Sequence, residues 1–314
     1  MPRRRLPYPA TLLSRRLIPQ HHNRIILRAI TTSHPPLPSP APTPAAVQHV
    51  PPPPQSRPAA AAIMTTTTTT TTIPAATTTL QHRTAGPVAC PPGYHLRRGL
   101  SSDVDAVTSL YRASFGRDSL LDILFPTRDA HPRDFHAHIY RHFQARWWTL
   151  GWDLTVLVDD ALGVPVGFTW WRRPLDQLSF AERWLSPYAW FAPLMRLYVR
   201  LKNLLLPTRI PADSTAVFTR VYGEIEPRLL CSPRRRAAWY LSTIATLPSL
   251  QGRGLGGVLL RHGLRAVDDR GLACFLVGVS GVEPFYRKYG FEEVERANVG
   301  ELAGWDGGAI MFRE

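Results

Sequence analysis

The sequence predicts an α+β fold, a mixed and mostly antiparallel sheet flanked by helices, and three observations carry that prediction. Two β-rich runs flank Asp159-Asp160-Ala161-Leu162-Gly163 in TVLVDDALGVPVGFTWWRR, the pattern of a hairpin that supplies antiparallel strands two and three. Ahead of it, YHLRRGL reads as a short strand leading into a helix. Between Trp239 and Phe291 the order is apolar run, glycine-rich turn, helical run, apolar run and short helix.

Taken from the N-terminus, residues 1–92 stand apart from this pattern. They contain no Asp or Glu, proline runs such as Pro51 to Pro54, and a pure threonine tract from Thr65 to Thr72. A segment of this kind cannot bury enough apolar surface to offset the ordering of its chain, so it reads as disordered. Its nine Arg account for +9 of the net +14, which leaves an ordinary +5 for residues 93–314. The high overall charge is therefore no argument for nucleic-acid binding by the folded part. Within the first residues, LLSRRLIPQHHNRIILRAI forms a basic amphipathic pattern in an acid-free, Arg-rich and Ser-rich context, the composition of a mitochondrial transit peptide. A tail without an address, or upstream sequence bypassed by a start at Met64, has the same composition. Cytoplasm and mitochondrial matrix both stay open as locations. No run of eighteen uncharged apolar residues occurs, so no integral membrane segment is expected.

The chain as a whole is 44% hydrophobic, ample for a packed domain over 93–314, with an insert at about 174–237. Ser101-Ser102-Asp103 is a helix start before VDAVTSLYRASF, whose Val104, Val107, Leu110, Tyr111 and Phe115 recur at helical spacing. DSLLDILFP and DFHAHIYRHFQARWW are further helical pieces. His131, His136, His138 and His142 cluster here, and 138 with 142 share a helix face as a metal pair would. Without an HExxH pattern or a third ligand they read as solvated or stacking histidines. Cys90, Cys231 and Cys274 are too far apart for a metal or disulfide framework, so no metal is expected and a reducing compartment fits.

The insert, with FAERWLSPYAWFAPLMRLYVRLKNLLLP at its centre, is aromatic-rich and helical in pattern, interrupted by Arg183, Arg196, Arg200 and Lys202. Packing over the sheet, as a wall of an acceptor pocket, is the first expectation. A basic amphipathic segment on a membrane surface is the second. Pro187 and Pro193 argue against one straight helix.

QGRGLGG contains Gly252-x-Gly254-x-x-Gly257, formally the dinucleotide fingerprint, with Asp268 and Asp269 downstream. That reading fails on length and topology. Pro248 to Gln251 separate the strand from the first glycine. The 57 residues after Gly257 offer one helix, one good strand and a short tail. What survives is the physics of the turn: glycines admit an anion close to the backbone, and helix N-terminal amides point at it. Pyrophosphate is the natural occupant, and Arg253 adds a charge-assisted contact. The glycines alone fit a ligand-free turn equally well.

Gln251-Gly252-Arg253-Gly254-Leu255-Gly256 resembles the Q/R-x-x-G-x-G/A signature of the GCN5-related N-acetyltransferase (GNAT) superfamily, and Phe285-Tyr286-Arg287-Lys288-Tyr289-Gly290-Phe291 resembles its Y-x-K-x-G-F element. The resemblance is strongest over 238–291. It implies an acyl-CoA N-acyltransferase fold with splayed fourth and fifth strands, and acetyl-CoA in the cleft between them. Pyrophosphate would lie on Gln251, Gly252, Arg253, Gly254, Leu255, Gly256 and Gly257. The pantetheine arm would pair with Thr243, Ile244 and Ala245, which requires a bulge near Ser242 that no sequence pattern reveals. Ser280 stands nearest to an Asn that many relatives use on the cofactor.

The implied reaction is direct attack of a primary amine on the thioester. Tyr286 matches the acid that protonates the departing thiolate, a backbone amide near Ala245 would hold the oxyanion, and Glu224 and Glu226 are candidates for the base. As a packing aromatic, Tyr286 would simply join Phe285, Tyr289 and Phe291. Implied partners are acetyl-CoA and an amine acceptor, a small molecule rather than a protein, and no nucleic acid. The acceptor itself is not legible, although Trp170, Trp171, Trp184 and Trp190 suit a flat or apolar one as well as they suit core packing. A CoA-binding protein without transfer activity and a membrane-peripheral acyltransferase are the alternatives.

Overall fold

A computed structural model describes residues 88–314, so the disorder, transit-peptide and Met64 readings, apart from Val88 to Pro92, lie outside the described residues. The chain enters on β1 (Tyr94–Arg98), turns through a single 3-10 turn and continues as α1 (Val104–Phe115). Asp103 secures that entry: its carboxylate accepts from the Leu100 amide at 2.6 Å and receives both arms of the Arg97 guanidinium at 2.7 and 2.8 Å. Next come α2 (Ser119–Leu124), capped by the Asp118 side chain, and α3 (Pro132–Trp147). The predicted hairpin is β2 (Trp152–Asp159) and β3 (Pro165–Arg172). Asp159 closes its turn by accepting from the amides of Ala161 and Leu162.

The insert is helical throughout its long elements, α4 (Pro187–Leu205), α5 (Ala212–Leu229) and the short α6 (Pro233–Arg236). Here the structure departs from expectation. The helical path breaks at Ser186, and Pro187 begins α4 at the position where a missing N–H costs nothing, while Pro193 sits inside one continuous helix. Moreover, α4 rests on α3 rather than over the sheet, and α5 takes the place against the core.

Then follow β4 (Trp239–Thr246), α7 (Leu255–Asp268), β5 (Cys274–Gly278) and α8 (Glu283–Arg287). The tail holds two strands that the sequence reading missed, β6 (Glu292–Arg296) and β7 (Ala309–Arg313). EEVER alternates only weakly because β6 is an edge strand, whereas AIMFR is a short buried run that slots between β5 and β6. Among the described residues the strands form one sheet in the order β1-β2-β3-β4-β5-β7-β6, antiparallel except for the β4–β5 pair.

Each face of the sheet buries its own core. Phe168, Trp170, Tyr240, Phe275 and Phe312 point toward α1, α3 and α5, where Val107, Phe143, Val221 and Ile225 meet them. On the opposite face Trp171, Leu241, Leu276 and Met311 pack under Leu260 and Leu264 of α7 and Tyr286 of α8. Gly263 permits that approach, since a Cβ there would collide with the Trp171 indole.

Candidate active site

The site begins where two strands part. β4 and β5 pair in parallel only through Trp239–Cys274, Tyr240–Phe275 and Leu241–Leu276. On its other side β4 keeps its partner β3, but Trp170 faces Thr243 while Trp171 faces Leu241, so Ser242 is an extra, bulged residue. Beyond the bulge, the β5-facing edge of β4 from Ser242 to Thr246 has no strand beside it among the described residues. A cleft of about 760 Å³ opens there, lined by Thr243, Ile244 and Ala245 from β4 and by Leu276, Val277 and Gly278 from β5.

The glycine turn closes one end of this cleft. Gly252 and Gly254 hold φ of +78° and +79°, left-handed values that explain the residue type. A Cβ at either would meet no atom of the described residues within 4 Å, so backbone conformation rather than crowding demands glycine. Helix α7 starts directly after Gly254, and the amides of Leu255, Gly256 and Gly257 belong to its first turn, where no intrahelical acceptor exists. Gln251 ties the turn to the end of β4 through Nε2 to the Thr246 carbonyl, 3.4 Å. Gln251 and Gly256 line the cleft, Gly252, Arg253 and Gly254 are exposed at its rim, and Leu255 and Gly257 are buried beneath it.

Tyr286 and Ser280 line the same cleft. Tyr286 is 6% exposed, packed edge-on against Phe285 and Phe291 with ring centroids 5.1 and 5.7 Å away. Burial raises its hydroxyl above the usual tyrosine range, which keeps the group protonated and able to donate. The two glutamates part company. Glu224 is exposed on α5 and Glu226 is half-buried one layer outside the cleft lining. Burial, opposed by the nearby Arg172 charge, moves Glu226 from 4.5 to about 7, and its Oε1 is sealed without a hydrogen-bond partner.

Past the bulge the cleft deepens into a chamber between α1, α3 and α5, walled by Tyr111, Phe143, Trp152, Phe218 and Tyr240. Of its polar groups, His138 and His142 belong to the histidine cluster noticed in the sequence, whereas Asp118 and Arg146 went unrecognised there. Asp118, raised by burial, accepts from Leu120 N at 2.8 Å and Trp305 Nε1 at 3.1 Å. His138, His142 and Arg146 follow one another at four-residue spacing on α3 and all face the chamber. The stacking part of the histidine reading describes them better than the solvated part: His138 lies edge-on to Phe125, His142 is tilted on Phe143, and His136, stacked on Tyr140, also reaches outward to Asp105. Burial lowers His138 to about 4 and holds His142 well below the usual histidine range, so both are neutral at pH 7. The available signal was that i, i+4, i+8 polar row beside the apolar row Phe135, Ile139, Phe143. Among the described residues no group of three His, Cys, Asp or Glu side chains is placed to hold a metal ion.

A family model described as an acetyltransferase (GNAT) domain matches residues 218–293, which spans the second half of α5, the bulged strand, the glycine turn and Tyr286. Among solved structures, a histone acetyltransferase HPA2 and related acetyltransferase from Corynebacterium glutamicum is 18% identical, over 70% of this chain and 96% of that one, with a TM-score of 0.45. PaiA N-acetyltransferase from Thermoplasma acidophilum in complex with coenzyme A is 12% identical, over 70% and 98%, at 0.39. A GNAT family acetyltransferase from Brucella melitensis in complex with acetyl-CoA is 16% identical, over 63% and 82%, at 0.31.

Proposed function

The chain belongs to the GCN5-related N-acetyltransferase superfamily, and from that premise we propose that it transfers an acetyl group from acetyl-CoA to a primary amine by direct attack. The observation that carries the proposal is the unpartnered edge of β4 beyond Leu241, which opens onto the same cleft as the glycine turn and Tyr286. Acetyl-CoA supplies the activated thioester. The backbone of Thr243, Ile244 and Ala245 offers N–H and C=O groups to an extended amide-bearing arm, as a sheet edge does. The first amides of α7, with Gly252, Arg253 and Gly254, hold the pyrophosphate. A β4 amide near Ala245 stabilises the oxyanion, and Tyr286 gives its proton to the leaving thiolate. Calorimetry with acetyl-CoA, then thiol release across a panel of primary amines, tests the whole reading. Binding without release for any amine selects a CoA-binding protein, and no binding removes both.

Of the two glutamates, Glu226 is the one tuned for accepting a proton at neutral pH. It would act through a bridging water or the Tyr222 hydroxyl one helical turn away, whose oxygen is likewise buried without a partner. Because burial favours the neutral acid, its contribution to stability is full below about pH 4.5 and is lost as the pH rises through about 7. Glu226→Gln should therefore lose less stability than wild type between pH 5 and pH 8 in urea unfolding. It should also remove the rising limb near pH 7 from the pH–rate profile. A retained limb reassigns the base.

A second reading rests on α4. Trp190, Leu194, Leu197, Leu201 and Leu204 recur at four- and three-residue intervals and stay exposed, with Trp190 at 70% and Leu204 at 76%. Arg200 and Lys202 flank this stripe on opposite sides, and the helix carries no acid. Self-pairing through the stripe would bring those cations together, whereas an anionic bilayer complements both features. Among the described residues no helix is long and apolar enough to cross a membrane, so the contact would be a surface one. Full-length protein should float with phosphatidylserine-containing vesicles, and less so after Trp190→Ser with Leu194→Ser. Equal flotation with and without phosphatidylserine, or dimerisation through this face, rejects the reading.

A further inference from the structure

Arg146 is the feature of the chamber that the transfer chemistry leaves unused. It stands in the last turn of α3 and lines the deep part of the cleft. Its guanidinium lies over Trp152 at 4.2 Å and beside Phe143 and Trp170 at 5.4 and 5.7 Å. Nη2 donates to His142 Nε2 at 2.9 Å, and Nη1 is sealed from solvent with no hydrogen-bond partner. Among the described residues no carboxylate forms an ion pair with it, while Arg172, the neighbouring cation, faces Glu226.

A buried cation without a counter-charge is costly, and aromatic faces offset only part of that cost. Burial lowers Arg146 to about 10, which still leaves it charged at neutral pH. His142 sharpens the demand. Arginine can only donate, so His142 Nε2 must accept, and the proton of the neutral ring resides on Nδ1, which is also sealed and unpartnered. Two donors and one positive charge in an aromatic-walled chamber thus lack an acceptor and an anion among the described residues. A carboxylate is acceptor-only, negative, and matches the planar guanidinium fork.

We propose that Arg146, with His142 beside it, binds a carboxylate of the acceptor, so that the substrate is an amino acid-like amine with an apolar or aromatic body. This rests on the proposed N-acetyl transfer for the amine but not for the anion site itself. Such a site discriminates strongly, because an acceptor lacking the carboxylate leaves the buried donors unpaired.

The test uses three matched pairs with the full-length protein: phenylalanine and phenethylamine, 4-aminobenzoate and aniline, 5-aminopentanoate and butylamine. For at least one pair, thiol release should favour the acid by about thirtyfold or more in kcat/KM. In Arg146→Met that preference should collapse to near unity, mainly through KM, with CoA affinity unchanged, and Arg146→Lys should restore part of it. Absence of preference in wild type, or its persistence in Arg146→Met, overturns the proposal. A calorimetric titration with 3-phenylpropionate reads the site without transfer. Binding lost in Arg146→Met supports the anion site even if no amine is acetylated, an outcome that would reject the transferase reading alone. No binding of 3-phenylpropionate to wild type, together with no acid preference, rejects the anion site alone.

Discussion

Gly254→Asp should abolish CoA binding, lowering affinity at least about a hundredfold, the scale expected when a like charge is placed within a few ångströms of a bound phosphate. Gly254 holds φ +79° at the start of α7, and a Cβ there would meet no atom of the described residues within 4 Å. The carboxylate therefore has room, and it stands at the helix N-terminus where the proposed pyrophosphate lies. Strain must be separated from charge, because any side chain in this conformation costs roughly 1 kcal/mol or more. Asn tolerates left-handed φ better than most residues and has the same shape as Asp without the charge. Gly254→Asn should consequently retain measurable affinity where Gly254→Asp does not. Calorimetry with CoA checks both, and equal affinities for the two variants would remove the phosphate from this turn.

Tyr286→Phe should lower kcat by about a hundredfold or more, within the range that general acids contribute, with CoA affinity little altered. The substitution removes one oxygen and leaves the ring between Phe285 and Phe291 intact. Among the described residues no hydrogen bond from the Tyr286 hydroxyl ties the fold together, so unfolding by urea should be unchanged. A loss confined to the chemical step should appear equally in kcat and kcat/KM. Since burial raises the hydroxyl above the ordinary range, wild type should show no loss of the acid form up to about pH 9. Wild-type turnover in the Phe variant would return Tyr286 to a packing role.

Legibility followed the length of each pattern. The hairpin from Trp152 to Arg172 and the helices α1, α3 and α7 were plain because each repeats a period of two or of 3.6 over many residues. β6 and β7 were not, being five residues each, one a polar edge and the other buried on both faces without alternation. Pro193 misled because an isolated helix loses a hydrogen bond at proline, whereas α4 is supported by its contact with α3. His142 was noticed only as one of a histidine cluster and Arg146 not at all, since the polar row they share on α3 does not by itself say whether it faces water or a chamber.

By itself the sequence determined the strand–glycine turn–helix unit from Trp239 to Asp268 and the placing of Tyr286 in the element after β5. Both are local: positive φ demands glycine at 252 and 254, and a short motif carries its own spacing. Only the tertiary structure decided the rest of the site. The bulge at Ser242 and the parting of β4 from β5 after Leu241 are matters of register between distant strands, and register depends on what packs on both faces of the sheet. The charge of Arg146 became chemically significant for the same reason. Its meaning lies in the lack of a carboxylate partner among the described residues once α1, α3, α5 and β2 have closed around it, and that is a property of the assembled chamber.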